Sequence, residues 1–125
     1  MSTANLIELH AKYASAVNAG SVDAILDLYE DNATFVTGPG TSVTGKPAIR
    51  ETLLGFLALK PRMGIQTNSI IEGDPNLALL ECQWTLDGTG SDGSPVHFTG
   101  VSREVVRRHA NGNWLYVIDD PGLGR

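Results

Sequence analysis

Two carboxylates, Glu104 and Asp119, lie in segments of this chain that are built to fold back on each other. The runs His97 to His109 and Trp114 to Asp119 are rich in β-branched and aromatic residues, with Asn111-Gly112 between them. An Asn-Gly pair in that setting predicts a tight hairpin, whose type I′ turn needs φ > 0 at both central positions. Counting back from that turn, Ala110 faces Asn113, Val106 faces Val117, Arg103 faces Asp120, and Glu104 stands directly opposite Asp119. Like charges opposed across a sheet are destabilising, so the pair asks for a reason. If it faces a pocket, the two carboxyls cannot both ionise cheaply. One then keeps a proton near neutrality as a donor while the other stays an acceptor, and their titration belongs to the pair. The plain alternatives are a solvated rim or pairing with an arginine such as Arg108.

Other reactive side chains give less. Cys82 alternates inward between Leu80 and Trp84 and reads as a small buried hydrophobe. His10 falls outside the main stripe of its helix, His97 has the parity opposite to Glu104, and His109 borders the turn. No convergent metal-ligand spacing results, so neither metal nor organic cofactor is expected. The glycines between Asp87 and Gly93 join two strands without a following helix or lysine, and are turn chemistry. Arg103 opposite Asp120 reads as a surface cross-strand ion pair of little net energy.

The elements that must position the acids follow from periodicity. Asn5 to Glu8 has the spacing of a capping box, and Leu6, Leu9, Tyr13, Ala16 and Val17 recur at helical spacing until Gly20. Ser21 can cap a second helix whose stripe is Val22, Ile25, Leu26 and Tyr29, ending near Glu30 to Asn32. Ala33 to Thr37 reads as a strand leaving into Gly38-Pro39-Gly40, and a third helix starts at Pro47 and closes before Pro61. From Met63 the chain is strands: Met63 to Glu72, Leu77 to Leu86, then the hairpin. The tail Gly122 to Arg125 is expected to be mobile. Both faces of the hairpin are partly apolar. Val106, Leu115 and Val117 share the side of Glu104, while Val101, Val105, Trp114, Tyr116 and Ile118 take the other. A half-solvated sheet would show one polar face. The pattern therefore predicts a homodimer through the outer face at Trp114 and Tyr116.

At 125 residues the chain is read as one domain, 1–125, large enough to bury a core without disulfides. A net charge of −5 argues against nucleic acid, and no apolar run approaches the ~20 residues of a membrane span. A single cysteine and an N-terminus without the basic and apolar blocks of a signal peptide make a cytoplasmic location the expectation.

Lys12-Tyr13, Asn18 to Ile25, Leu28 to Phe35, Val43 to Ile49 and Val117 to Pro121 together resemble the SnoaL-like and ketosteroid-isomerase-like branch of the nuclear-transport-factor-2-like superfamily. The resemblance implies a cone-shaped α+β fold. A strongly curved antiparallel sheet would carry three helices from the N-terminal half on its concave face, with a deep apolar pocket between them. It says little of activity, since that fold hosts isomerases, cyclases, dehydratases, epoxide hydrolases and non-catalytic modules. Ketosteroid isomerases pair a tyrosine with a carboxylic acid kept neutral by its apolar site, and use an aspartate base after the first strand. Carried over, the tyrosine resembles Tyr13 and the neutral acid falls at Glu104. The base position falls near Thr37, which cannot take a proton from carbon, so that mechanism in its usual form is not expected.

The expected catalytic set is therefore Tyr13, Glu104 and Asp119, acting on a small apolar molecule that bears one or two oxygens. Glu104 with Tyr13 would polarise an oxygen and Asp119 would move a proton. Phe35, Thr37, Leu53 and Leu57 are expected to line the pocket from one side; Leu80, Trp84, Val106 and Val117 do so from the later strands. The competing expectation is a ligand-binding or dimerisation module without chemistry.

Overall fold

The computed structural model describes residues 2–124. The order of elements is α1 (Ser2–Asn18), α2 (Val22–Leu26), β1 (Tyr29–Gly38), β2 (Thr41–Thr44), α3 (Lys46–Leu57), β3 (Arg62–Glu72), β4 (Leu77–Thr89), β5 (Pro95–Arg108) and β6 (Trp114–Asp120). The strands form one six-stranded sheet in the order β2-β1-β6-β5-β4-β3, and the helices pack on one of its faces. This is the expected α+β architecture, with refinements. The sheet is mixed, because β1 runs parallel to β6. Strand β2, which returns from Gly38-Pro39-Gly40 to pair with β1, was not foreseen.

Each helix has a local reason. Ser21 caps α2, its side chain accepting from the Ala24 N–H, and Pro47 occupies the first turn of α3, where its missing N–H costs nothing. Two boundaries differ from the sequence reading. Helix α1 starts at Ser2, so Asn5 lies inside it. Helix α2 stops at Leu26, and Tyr29 opens β1 instead of extending the stripe. Leu6, Ile25, Ile49, Leu80 and Val106 are wholly buried where helices meet sheet, each such burial stabilising by about 1.5–3 kcal/mol.

The hairpin differs in a way that matters. Gly112 has φ 86°, while Asn111 does not enter the left-handed region. The Gly112 N–H donates to the His109 carbonyl, and the His109 N–H to the Asn113 carbonyl. The turn is thus a three-residue loop with glycine in the left-handed position, not type I′. Its register runs Arg108 to Trp114, Arg107 to Leu115 and Val106 to Tyr116, one residue away from expectation. A bulge then shifts the pairing between Val105 and Val106, leaving Val117 as the extra residue, and beyond it Glu104 faces Asp119 and Arg103 faces Asp120. The two offsets cancel at the carboxylates.

They do not cancel before the bulge. Trp114 and Tyr116, expected on the outer face, are 5% and 2% exposed and belong to the core. Arg108 covers the Trp114 ring at 6.0 Å, and the indole Nε1 finds no acceptor among the described residues. The outer face carries a different apolar row. Ile71, Leu79, Val105 and Ile118 are successive cross-strand neighbours over four strands, and Ile71, Leu79 and Ile118 are exposed. No helix among the described residues is long and apolar enough to cross a membrane.

Candidate active site

Three cross-strand rows build the concave wall. Leu80, Glu104, Asp119 and Phe35 are neighbours across β4, β5, β6 and β1; Thr67, Cys82 and Ser102 form the next row; Ile65, Trp84 and Gly100 the third. Alternation along each strand points all of these inward. Helix α1 closes the wall from above with Leu6, His10, Tyr13 and Val17 at intervals of four, three and four, which share one helical face. His10 is therefore not outside the stripe; it is 3% exposed and descends onto the sheet.

Glu104 and Asp119 are 4% and 6% exposed and border the same cavity, and among the described residues neither is paired with an arginine. Each heads its own hydrogen-bond chain. On one side, Tyr29 donates to Asp119 Oδ2, and the Tyr29 hydroxyl lies 2.9 Å from that of Tyr13. On the other, His10 Nε2 lies 2.7 Å from Glu104 Oε1, and His10 Nδ1 lies 2.7 Å from Thr67 Oγ1. The Ser102 hydroxyl donates to Glu104 Oε2, and Cys82 Sγ stands 3.6 Å from the same oxygen.

Burial and the neighbouring charge of Glu104 push the Asp119 carboxyl up to about 8, against the lowering pull of the Tyr29 hydrogen bond. Asp119 is thus the carboxyl that holds a proton at neutral pH. Burial first raises Tyr13, Tyr29 and Tyr116 well above the ordinary tyrosine value, with Asp119 adding to all three and Glu104 to Tyr13 and Tyr116, so all three stay protonated. Cys82 is pushed up to about 12 by burial and by Glu104, so the thiol is not a resting nucleophile.

The cavity in front of these groups measures about 70 Å³. At roughly 10–15 Å³ per water in this measure it has room for a few waters or one small molecule. Phe35, Leu53, Leu57 and Trp84 line it as expected. Leu80 and Val106 do not; both are entirely within the core, with no surface left for a ligand. Val117 is the bulged residue, and Thr37 turns its hydroxyl to Thr41 Oγ1, so neither reaches the wall. Leu123, in the tail expected to be mobile, packs against the core and lines the cavity, while Arg125 lies outside the described residues.

Several residues of the site escaped sequence reasoning. His10 was findable from its spacing to Leu6 and Tyr13. Tyr29 was hidden by a strand start misread as a helix end. Ser102 and Thr67 carry no signal of their own, and only the sheet register brings them beside Cys82. Helix α1 and the sheet together also bring close three side chains whose spacing in sequence shows no ligand pattern. His10, Cys82 and Glu104 present donor atoms within 4.8 Å of one another, all buried.

No curated protein matches this sequence. Solved structures do. A ketosteroid isomerase-like protein from Erwinia carotovora atroseptica SCRI1043 is 18% identical, with a TM-score of 0.81 over 94% of this chain and 92% of that one. An NTF-2 like protein of unknown function from Shewanella oneidensis MR-1 is 19% identical, with a TM-score of 0.76 over 96% and 98%. An NTF2-like protein with a cystatin-like fold from Novosphingobium aromaticivorans is 18% identical, with a TM-score of 0.75 over 94% and 79%. At these identities the likeness is one of fold. The SnoaL-like domain family matches residues 10–117, and the chain belongs to that family.

Proposed function

We propose that the chain binds a small apolar molecule bearing one or two oxygens and moves a proton on it without an organic cofactor, as isomerases, cyclases and lyases of this kind do. The observation that carries this reading is the side-by-side placement of two buried acids on the wall of one apolar cavity, with Asp119 holding a proton. Asp119, backed by Tyr29 and Tyr13, donates its hydrogen bond to a carbonyl oxygen of the ligand. Glu104, held by His10 and Ser102, accepts the proton from the adjacent carbon. The C–H electron pair becomes the C=C bond of an enol whose oxygen is held at Asp119, and return of the proton to a second carbon completes an isomerisation. In this arrangement Tyr13 works through Tyr29 for Asp119, not beside Glu104.

The test is carbon-bound hydrogen exchange in D2O with small cyclic ketones that bind the cavity, followed by NMR. Wild type should exchange the α-hydrogens, and Glu104→Gln should lose the rate by about 10²–10⁴-fold with binding retained, the usual share of a positioned base. Ketones that bind wild type and do not exchange would leave the non-catalytic binding module as the answer. We further infer that two copies associate through the exposed row of Ile71, Leu79, Val105 and Ile118, not through Trp114 and Tyr116.

A further inference from the structure

We propose that His10, Cys82 and Glu104 form a binding site for one divalent ion of the Zn²⁺ or Co²⁺ kind, with an open coordination position facing the cavity. The three donors come from α1, β4 and β5 and are 3%, 2% and 4% exposed. Their donor atoms lie within 4.8 Å of one another. A tetrahedral ion with bonds of about 2.0–2.3 Å needs donors roughly 3.2–3.6 Å apart. Cys82 Sγ is already 3.6 Å from Glu104 Oε2, and His10 Nε2 is 2.7 Å from Glu104 Oε1. For the ion to enter, the His10–Glu104 contact lengthens and the three donors settle to that spacing, a side-chain rearrangement within the cluster.

The surroundings suit a ligand set as well. When His10 Nδ1–H donates to Thr67 Oγ1, Nε2 presents its lone pair to the ion, the outer contact that fixes a ligating imidazole. Ser102 holds the Glu104 carboxylate in the same way. A thiolate and a carboxylate together cancel the charge of a dication, so the loaded cluster is neutral in an apolar cavity. One nitrogen and one sulfur among three donors select a borderline metal over Mg²⁺ or Ca²⁺, which take oxygen. All three residues line the cavity, so the fourth position opens into it and would take a small carboxylate, hydroxamate or phenolate. Loading breaks the Cys82 S–H bond, forms the sulfur–metal bond and releases the proton to solvent. Glu104 serves this site and the acid–base reading alike, but the ion needs neither Asp119 nor Tyr29, so the two fail separately.

The test is a Co²⁺ titration of the whole chain, reduced and stripped with chelator, with near-ultraviolet circular dichroism reporting the fold of each variant. One equivalent should produce the intense thiolate-to-cobalt charge-transfer band, and Zn²⁺ should displace it. Cys82→Ser should abolish the band, and His10→Asn and Glu104→Gln should each weaken binding by at least about tenfold. Thr67→Val should keep the band and weaken binding by about 10–100-fold, the cost of losing an outer contact. His97→Asn and His109→Asn, which remove an exposed and a half-buried histidine paired with Asp87 and Glu30, should change nothing. No band at one equivalent in folded wild type, a band that survives Cys82→Ser, or one lost with either surface histidine overturns the site. Should Cys82→Ser not fold, X-ray absorption of Co²⁺-loaded wild type decides: a sulfur neighbour at about 2.3 Å from the metal supports the site and its absence overturns it.

Discussion

Asp119 is where a single residue shapes the behaviour of the whole protein with pH. Its carboxyl titrates at about 8 in the folded chain, against about 3.9 when unfolded. Between those values the folded state binds the extra proton, so stability is full below the lower value and is lost as pH rises towards the upper one. Asp119→Asn keeps an acceptor for Tyr29 and removes the titration. Urea unfolding of metal-free protein at a series of pH values should show wild type weakening from about pH 4 to about pH 8 and the variant much flatter over the same window. Parallel curves for the two proteins would mean that Asp119 is not protonated in the fold. Of this chemistry the sequence revealed the facing of Glu104 and Asp119, because opposed like charges are anomalous wherever they occur. It did not reveal which acid holds the proton. That depends on the burial of Asp119 and on the nearness of Glu104, which only the folded sheet and helix α1 together create.

At the scale of elements, the hairpin shows why a correct pairing can rest on an incorrect turn. Asn111-Gly112 signalled the hairpin, yet turn type depends on one φ, and with Asn111 outside the left-handed region the loop takes three residues. The bulge at Val117 restores the register, and nothing in Leu115-Tyr116-Val117-Ile118 announces it. Bulges of this kind follow from how a strand must bend to join its sheet, here with β1 parallel on the other side. Strand β5 contributes a second device at Gly100. A Cβ there would lie 2.8 Å from Trp84 Cζ2 and 3.1 Å from the Pro121 carbonyl, which itself accepts from Trp84 Nε1 at 2.9 Å. The missing side chain is what lets the indole lie flat as a cavity wall. Gly100→Ala should push Trp84 and the Pro121 segment apart, costing about 1–3 kcal/mol in urea unfolding, the usual penalty of overpacking. Trp84 fluorescence should change with it. An unchanged midpoint and spectrum would show that the wall gives way freely.

For the molecule as a whole, strand alternation and helical stripes made the layered α+β fold legible, together with the presence of a pocket, because three helices cannot cover a long sheet. They could not say which apolar face was left over. The one-residue offset before the bulge moved Trp114 and Tyr116 from the outer face to the core and left Ile71, Leu79, Val105 and Ile118 outside instead. These four side chains form one continuous row across β3, β4, β5 and β6, with Val101, on the same side of β5 as Val105, also exposed. Contiguous apolar surface of this kind favours association, and an ion pair such as Arg103 with Glu81, 3.7 Å apart and solvent-exposed, adds specificity more than energy. Leu79 sits in the middle of the row, flanked by Ile71 and Val105, so a charge there would have to be buried unpaired by any partner using this face. Wild type should therefore sediment as a dimer at micromolar concentration and Leu79→Lys as a folded monomer. Trp114→Phe, which changes the core behind the sheet, should leave the dimer intact. A wild type that sediments as a monomer throughout, or a Leu79→Lys variant that stays dimeric, would assign the row no role in association.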